Sequence, residues 1–332
     1  MQRIFKNREV LLALIIAVMV AGFAMRANGF ASAGNLANIF NDTSILIILA
    51  LGQMTVILTK SIDLSVAANL AFTGMAVAML DAGHPGLPLA LLIVLAVVIG
   101  AGLGAINGFL VWLLQIPPIV VTLGTLTIYR GMAFVLSGGS WVNAHQMTPD
   151  FLNLPRLPVL GMPILSWIAL AVVLLIWFML TRTPFGRSTY AAGGNPTAAV
   201  YAGIDIGRAR FFAFVLSGAL AGLSGYLWVS RYAVAYVDIA AGFELDSVAA
   251  NVIGGVSIAG GIGTVVGTVL GALFLGVIKN ALPVIGVSPF AQMAISGIVI
   301  VLAVVFNARA ERKKGRIILR DRAAKETKEV TA

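Results

Sequence analysis

The sequence predicts an all-α, polytopic membrane protein of about ten transmembrane helices, and three observations lead there. Hydrophobic residues make up 60% of the 332-residue chain and charged residues only 11%, where soluble domains carry about a quarter charged. The mean hydropathy is +1.00. Apolar runs of about twenty residues, the length that crosses roughly 30 Å of hydrocarbon at 1.5 Å per residue, recur between Gly, Pro and charged breakers.

In chain order the runs place helices at 9–27, 44–60, 64–80, 87–114, 117–137, 164–181, 210–230, 246–260, 263–282 and 289–307. The first follows a basic start that could belong to a signal peptide. No small-residue cleavage site follows it, so it reads as a retained helix with its N-terminus inside. A short connector with Lys60 and Asp63 divides the second helix from the third, and Pro117 opens the fifth. Residues 137–163, rich in Gly, Pro and Asn with Trp141 and Trp167 nearby, read as an external loop. Such a loop either contacts a partner outside or is a solvated connector with aromatic anchors. The chain thus reads as one transmembrane domain over 1–306, with a cytoplasmic loop at 182–210 and a basic cytoplasmic tail at 307–332.

Charge placement sets the orientation. Of the 22 Lys and Arg, sixteen lie in 1–9, 182–210 and 307–332. Under the positive-inside rule these segments are cytoplasmic, an even number of helices fits them, and both termini lie in the cytoplasm. The tail mixes acids with its bases, which suits a solvated end attracted to anionic membrane lipid and argues against a nucleic-acid arm. With no Cys in the chain, disulfides and thiolate metal sites are excluded.

One internal echo stands out. Ser65-Val66-Ala67-Ala68-Asn69 recurs as Ser247-Val248-Ala249-Ala250-Asn251, each copy shortly after an acid, Asp63 or Asp246. The copies open helices five apart that run in opposite directions, as a five-plus-five inverted repeat requires.

Small residues at four-residue spacing, Gly100/Gly104/Gly108, Gly218/Gly222 and Gly263/Gly267/Gly271, predict close helix packing, because in lipid helices associate through backbone approach rather than hydrophobic burial. Polar groups within spans are costly and are turned inward or toward water. They are Gln53, Asp63, Asn69, Asn107, Arg130, Glu244, Asp246, Asn251, Lys279 and Asn280. Lys60, Arg130 and Lys279 sit at helix ends, where long side chains snorkel, and Asp63 is placed to cap the third helix or to lie in a broken, cavity-lining segment. His84 and His145 fall in loops without a metal-ligand or nucleophile pattern. No Gly-x-x-x-x-Gly-Lys-[Ser/Thr] occurs, so the chain carries no phosphate-binding loop of that type and any ATPase is another polypeptide.

Four blocks carry a resemblance. Ser61-Ile62-Asp63-Leu64-Ser65-Val66 is similar to the Gly-Ile-Asp-Leu-Ser-Val-Gly stretch of ribose-type (monosaccharide) ABC importer permeases, a family that includes xylose, arabinose, rhamnose and autoinducer-2 permeases. Ala105–Gly108, Ile116–Thr125 and Tyr129-Arg130-Gly131 resemble that family's next block. Thr183–Arg187, Ala191–Asn195, Ala198-Ala199 and Gly203-Ile204 resemble its third, and Phe243–Asp246 through Ala249-Ala250 and Gly254-Gly255 to Asn280 its fourth. Ala67 and Ala68 stand where the family often has Gly, as does Ser61.

The resemblance implies a permease subunit with no cofactor of its own. Its partners would be a second, identical or related permease, a pair of cytoplasmic ATP-binding subunits that use the ATP, and a periplasmic or secreted substrate-binding protein. Carried over by position, Gly186, Arg187, Gly193, Gly194, Asn195, Ala198, Ala199 and Gly203 form the segment that couples to the ATPase. The expected mechanism is alternating access. Asp63, Asn69, Asn107, Thr122, Thr125 and Asn251 are the candidates for the solute path, because a hydroxyl-rich solute needs hydrogen-bond partners to replace water. A branched-chain amino acid or nucleoside ABC permease is the nearer alternative, and an ion-coupled secondary transporter the more distant one. Few mid-span acids or bases are available for ion coupling.

Overall fold

A computed structural model describes residues 8–288 together with 290–292, 294, 295, 297, 298, 301 and 305. The helices are α1 (Arg8–Ala24), α2 (Ala33–Leu58), α3 (Val66–Gly83), α4 (Leu89–Trp112), α5 (Pro118–Ser137), α6 (Pro149–Asn153), α7 (Ile164–Arg182), α8 (Pro184–Gly194), α9 (Pro196–Tyr201), α10 (Ile206–Tyr232), α11 (Phe243–Ile253) and α12 (Val265–Val284). Four two-residue strands, β1 (Val142–Asn143), β2 (Pro158–Val159), β3 (Met162–Pro163) and β4 (Val234–Ala235), form two antiparallel pairs, β1 with β4 and β2 with β3.

Among the described residues seven helices are long and apolar enough to cross a membrane: α2, α3, α4, α5, α7, α10 and α12. The helical class is as expected, while several bounds differ. The second helix begins eleven residues before the expected 44, at a Ser32 N-cap that accepts from the Asn35 N–H. Asn41, whose polarity read as a connector, is buried there against the Ser166 hydroxyl. The expected helix 246–260 stops at Ile253. Gly254 then lies against the backbone of Gly267 and Thr268, and Gly255, Gly260 and Gly261 take positive φ, so the chain leaves the helix and winds to α12. The tenth expected helix, 289–307, falls partly outside the described residues, and its described positions are helical. The tail 307–332 lies outside them entirely.

At the centre α2 and α10 touch, and each is flanked by the other half's helices. α10 packs on α3 and α4, α2 packs on α11 and α12, α3 meets α4, and α11 meets α12. Exchanging α2 with α10, α3 with α11 and α4 with α12 therefore maps this set of contacts onto itself. The expected glycine faces make close approaches. Gly100 and Gly104 of α4 meet Gly218 and Gly222 of α10 with no room for a Cβ between them, and Gly74 of α3 meets Gly225 in the same manner. At one end of the bundle lie the connectors 59–65 and 254–264 with α8. At the other lie α6 and the two short strand pairs.

Candidate functional site

Five of the six path candidates meet along the seam of α3, α4 and α5. Asp63 lies in the connector before α3, where its Oδ1 accepts from the Ser65 N–H at 2.9 Å and the Ser65 hydroxyl at 2.6 Å. These bonds make a local turn ahead of α3; the N-cap is Ser65, which makes no side-chain capping bond, and Asp63 reaches none of the first-turn N–H groups, so the cap of the third helix expected of it is not made. The Asn107 amide of α4 donates to the same Ser65 hydroxyl at 2.8 Å and accepts from the Tyr129 hydroxyl of α5 at 3.3 Å. Tyr129 also donates to the Leu103 carbonyl at 2.8 Å. Thr122 of α5 donates to the Ile62 carbonyl at 3.2 Å, and Thr125 to the Thr122 carbonyl at 3.4 Å. One turn further along α3, Asn69 donates to the Gly100 carbonyl at 3.0 Å and accepts from Thr73 at 3.2 Å. Gln53 of α2 backs the cluster: in the amide orientation that satisfies both its atoms, it pairs with the Asp63 backbone N–H and carbonyl at 3.1 and 3.0 Å.

Asn251 stands apart, between α11, α2 and α12. It donates to the Ala50 and Ser247 carbonyls, both at 2.8 Å, and accepts from Thr268 at 2.9 Å. Like Asn69 it sets its amide nitrogen on a backbone carbonyl of a neighbouring helix and its oxygen on a threonine hydroxyl, but the carbonyl is on α2 and the threonine on α12, where Asn69 uses α4 and its own helix. All six candidates are buried and bonded within the chain. In this conformation their polar groups are satisfied by protein rather than held open.

Sequence reasoning missed Tyr129 as a member of this cluster, though Thr122, Thr125 and Tyr129 fall at helical spacing on one face of α5, a legible stripe. It also missed the partners at the opposite end. Arg130 does not snorkel: its guanidinium donates to the Val237 and Ile239 carbonyls, and Asp238 lies 3.8 Å away. Lys279 is ion-paired with Asp246 and sits over the Phe243 ring. Asp81 at the end of α3 accepts from the Thr148 N–H and hydroxyl at 2.7 and 2.8 Å, Trp141 stacks on Tyr236, and Arg156 donates to the Ser230 and Arg231 carbonyls. These contacts hold segment 138–163 down on α3 and α10.

The eight coupling candidates belong to a helix pair beside the spans. Pro184 starts α8 and Pro196 starts α9, each at a first-turn position where the missing N–H costs nothing. Asn195 caps α9 through the Ala198 N–H at 3.1 Å. Gly186 is pressed on the Leu180 carbonyl and Gly193 on the Leu58 carbonyl, while Gly203 ends the unit at φ +78°. Ala199 is buried and Arg187, Gly194, Asn195 and Ala198 are exposed. Next to them Val200 and Tyr201 are 60% and 89% exposed, an apolar tip on a short helix that is not one of the spans. Among the described residues no group of three or more His, Asp or Glu is placed to hold a metal ion.

Comparison with known proteins agrees with this architecture. A family model described as branched-chain amino acid transport system / permease component matches residues 35–304. The D-allose transport system permease protein of Escherichia coli strain K12 is 36% identical over 88% of this chain and 89% of its own length. The ribose import permease protein of Haemophilus influenzae is 35% identical over 91% and 93%. The autoinducer 2 import system permease protein of Yersinia enterocolitica is 34% identical over 93% and 84%. No solved structure matches. The chain therefore belongs to this permease family and, within it, to the ribose-type group of ABC importer permeases.

Proposed function

We propose that this chain is the membrane subunit of an importer that moves a monosaccharide or similar small polar solute across the bacterial inner membrane by alternating access, powered by separate ATP-binding subunits. The observation that carries the substrate class is the match along about nine-tenths of the chain to permeases named for D-allose and ribose. In this reading a substrate-binding protein delivers the solute at the end with α6 and the strand pairs, and a second permease completes the path. The ATPase seats on α8 and α9, with Val200 and Tyr201 as its apolar contact. Both termini are cytoplasmic, and ten spans form a five-plus-five inverted repeat. The exchangeable helix contacts support the repeat.

The path runs along the seam of α3, α4 and α5, and passage requires α5 to part from its neighbours. Asp63, Asn107, Thr122 and Thr125 then exchange their internal bonds for bonds to the solute. Asn69 and Asn251 line the path's flanks.

Reconstitution tests this. The permease, its ATPase and its binding protein in liposomes should accumulate a labelled aldopentose or aldohexose only with internal ATP. Disrupting Gly193-Gly194-Asn195 in a folded complex should abolish uptake and release the ATPase. Uptake by the chain alone on an ion gradient, or of a branched-chain amino acid or nucleoside in place of sugar, would overturn the proposal.

A further inference from the structure

The C-terminal corner of α8 lies directly on backbone: on Leu58, the last residue of α2 just before connector 59–65, and on Gly261 in connector 254–264. A Cβ at Gly193 would lie 2.6 Å from the Gly261 nitrogen and 2.9 Å from the Leu58 carbonyl carbon, so only glycine admits this approach. Gly261 in turn donates its N–H to the Leu58 carbonyl at 3.0 Å, and a Cβ on Gly260 would lie 3.0 Å from Gly193 Cα. Gly260 and Gly261 hold φ of +84° and +72°, which shape the bend that brings 254–264 to this point. Lys60, on the other connector, has φ +61°.

Two side chains clip the arrangement from outside. Tyr190 of α8 donates its hydroxyl to the Gly263 carbonyl at 2.8 Å. Burial raises the pKa of the Tyr190 phenol, which keeps it protonated and donating. Arg210, in the second turn of α10, donates through Nε to the Thr59 carbonyl at 3.3 Å.

The two connectors are not equivalent to ordinary loops. Residues 59–65 lead into α3, whose N-terminus holds Asp63 and Ser65, and 254–264 lead from α11 into α12. A rigid backbone junction passes a displacement on, where a layer of flexible side chains would absorb it.

We infer that Gly193, Gly194, Leu58, Gly260 and Gly261 form a three-way backbone junction that transmits movement of α8 at once to α3 and to α12, with Tyr190 and Arg210 as positioning residues that keep the two connectors engaged. This rests on the reading that α8 and α9 seat on the ATPase. Its chemistry is mechanical: no bond is made or broken, and the quantity at stake is solute moved per ATP hydrolysed.

The test uses the whole complex in liposomes with Tyr190→Phe and Arg210→Gln, separately and together. Tyr190→Phe keeps the ring and removes one hydroxyl, so the protein should fold and co-purify with its ATPase. ATP hydrolysis should continue while solute transported per ATP falls, by roughly two- to ten-fold for the loss of one buried hydrogen bond. The double variant should fall further than either single one, since each clip holds a different connector. An unchanged transport-to-hydrolysis ratio would overturn the inference, and so would loss of the ATPase from the Tyr190→Phe complex, which would make the hydroxyl part of docking instead. Failure of the underlying reading has a separate signature: an ATPase that stays bound and coupled when Asn195 and Tyr201 are both replaced by Ala.

Discussion

Replacing Gly100 by Ala tests the glycine seam between α4 and α10. A Cβ there would lie 2.6 Å from Gly222 Cα and nearer still to the Gly218 carbonyl oxygen, whereas ordinary contact begins at 3.4 Å. Moving the nearest contact, the Gly218 oxygen, out to 3.4 Å requires the helices to part by about 1.1 Å, and the atoms met are backbone, which cannot rotate away. Overpacking of this kind costs about 1–3 kcal/mol, against a helix-propensity gain of up to about 1 kcal/mol for Gly to Ala. Gly102, on the same helix, provides the control: it is exposed and a Cβ there meets nothing within 4 Å, so Gly102→Ala should be neutral or slightly stabilising. The assay is thermal unfolding of both variants in one detergent, read as the shift in midpoint. Gly100→Ala should lower it and Gly102→Ala should not. Equal shifts, or a raised midpoint for Gly100→Ala, would refute the claim that backbone contact holds this pair together.

Two further substitutions probe other contacts. Asn251→Leu removes three hydrogen bonds near the end of α11 and leaves the buried Thr268 hydroxyl without its acceptor; a cost of about 1–3 kcal/mol is expected, read as a lower unfolding midpoint that Thr268→Val restores in part. Asp81→Leu deletes the acceptor for the Thr148 N–H and hydroxyl, so limited proteolysis should cut within 138–163 at least several-fold faster while cleavage in 184–203 keeps its rate.

The interiors of the spans were legible because an apolar run of sufficient length has few alternatives to a membrane helix. Their ends were not, where polar residues join a helix for tertiary reasons. Asn41 and Thr43 extend α2 because they are buried and bonded to Ser166 and to the Ile39 carbonyl. The early stop of α11 is written in Gly254 and Gly255, but only their approach to the backbone before and within α12 and the positive φ of Gly255 give it meaning. At the seam, Asp63, Asn107, Thr122 and Thr125 were readable as polar residues at membrane depth. Their mutual bonding was not, since it depends on the relative rotation of three helices. The segment 184–203 was readable through its ordered motif, yet the atoms that Gly193 meets are a carbonyl and an amide, and backbone groups leave no trace in residue identity.

The contacts at the two ends of α3 have a consequence for how far apart events can be linked. Eighteen residues of helix give a rod of about 27 Å, fixed at its start through the connector 59–65, whose Thr59 carbonyl takes the Arg210 guanidinium, and at its finish through the Asp81 carboxylate on Thr148. A helix resists compression along its axis far more than loops do. A tilt imposed at one end therefore becomes a lever movement at the other, around Thr148.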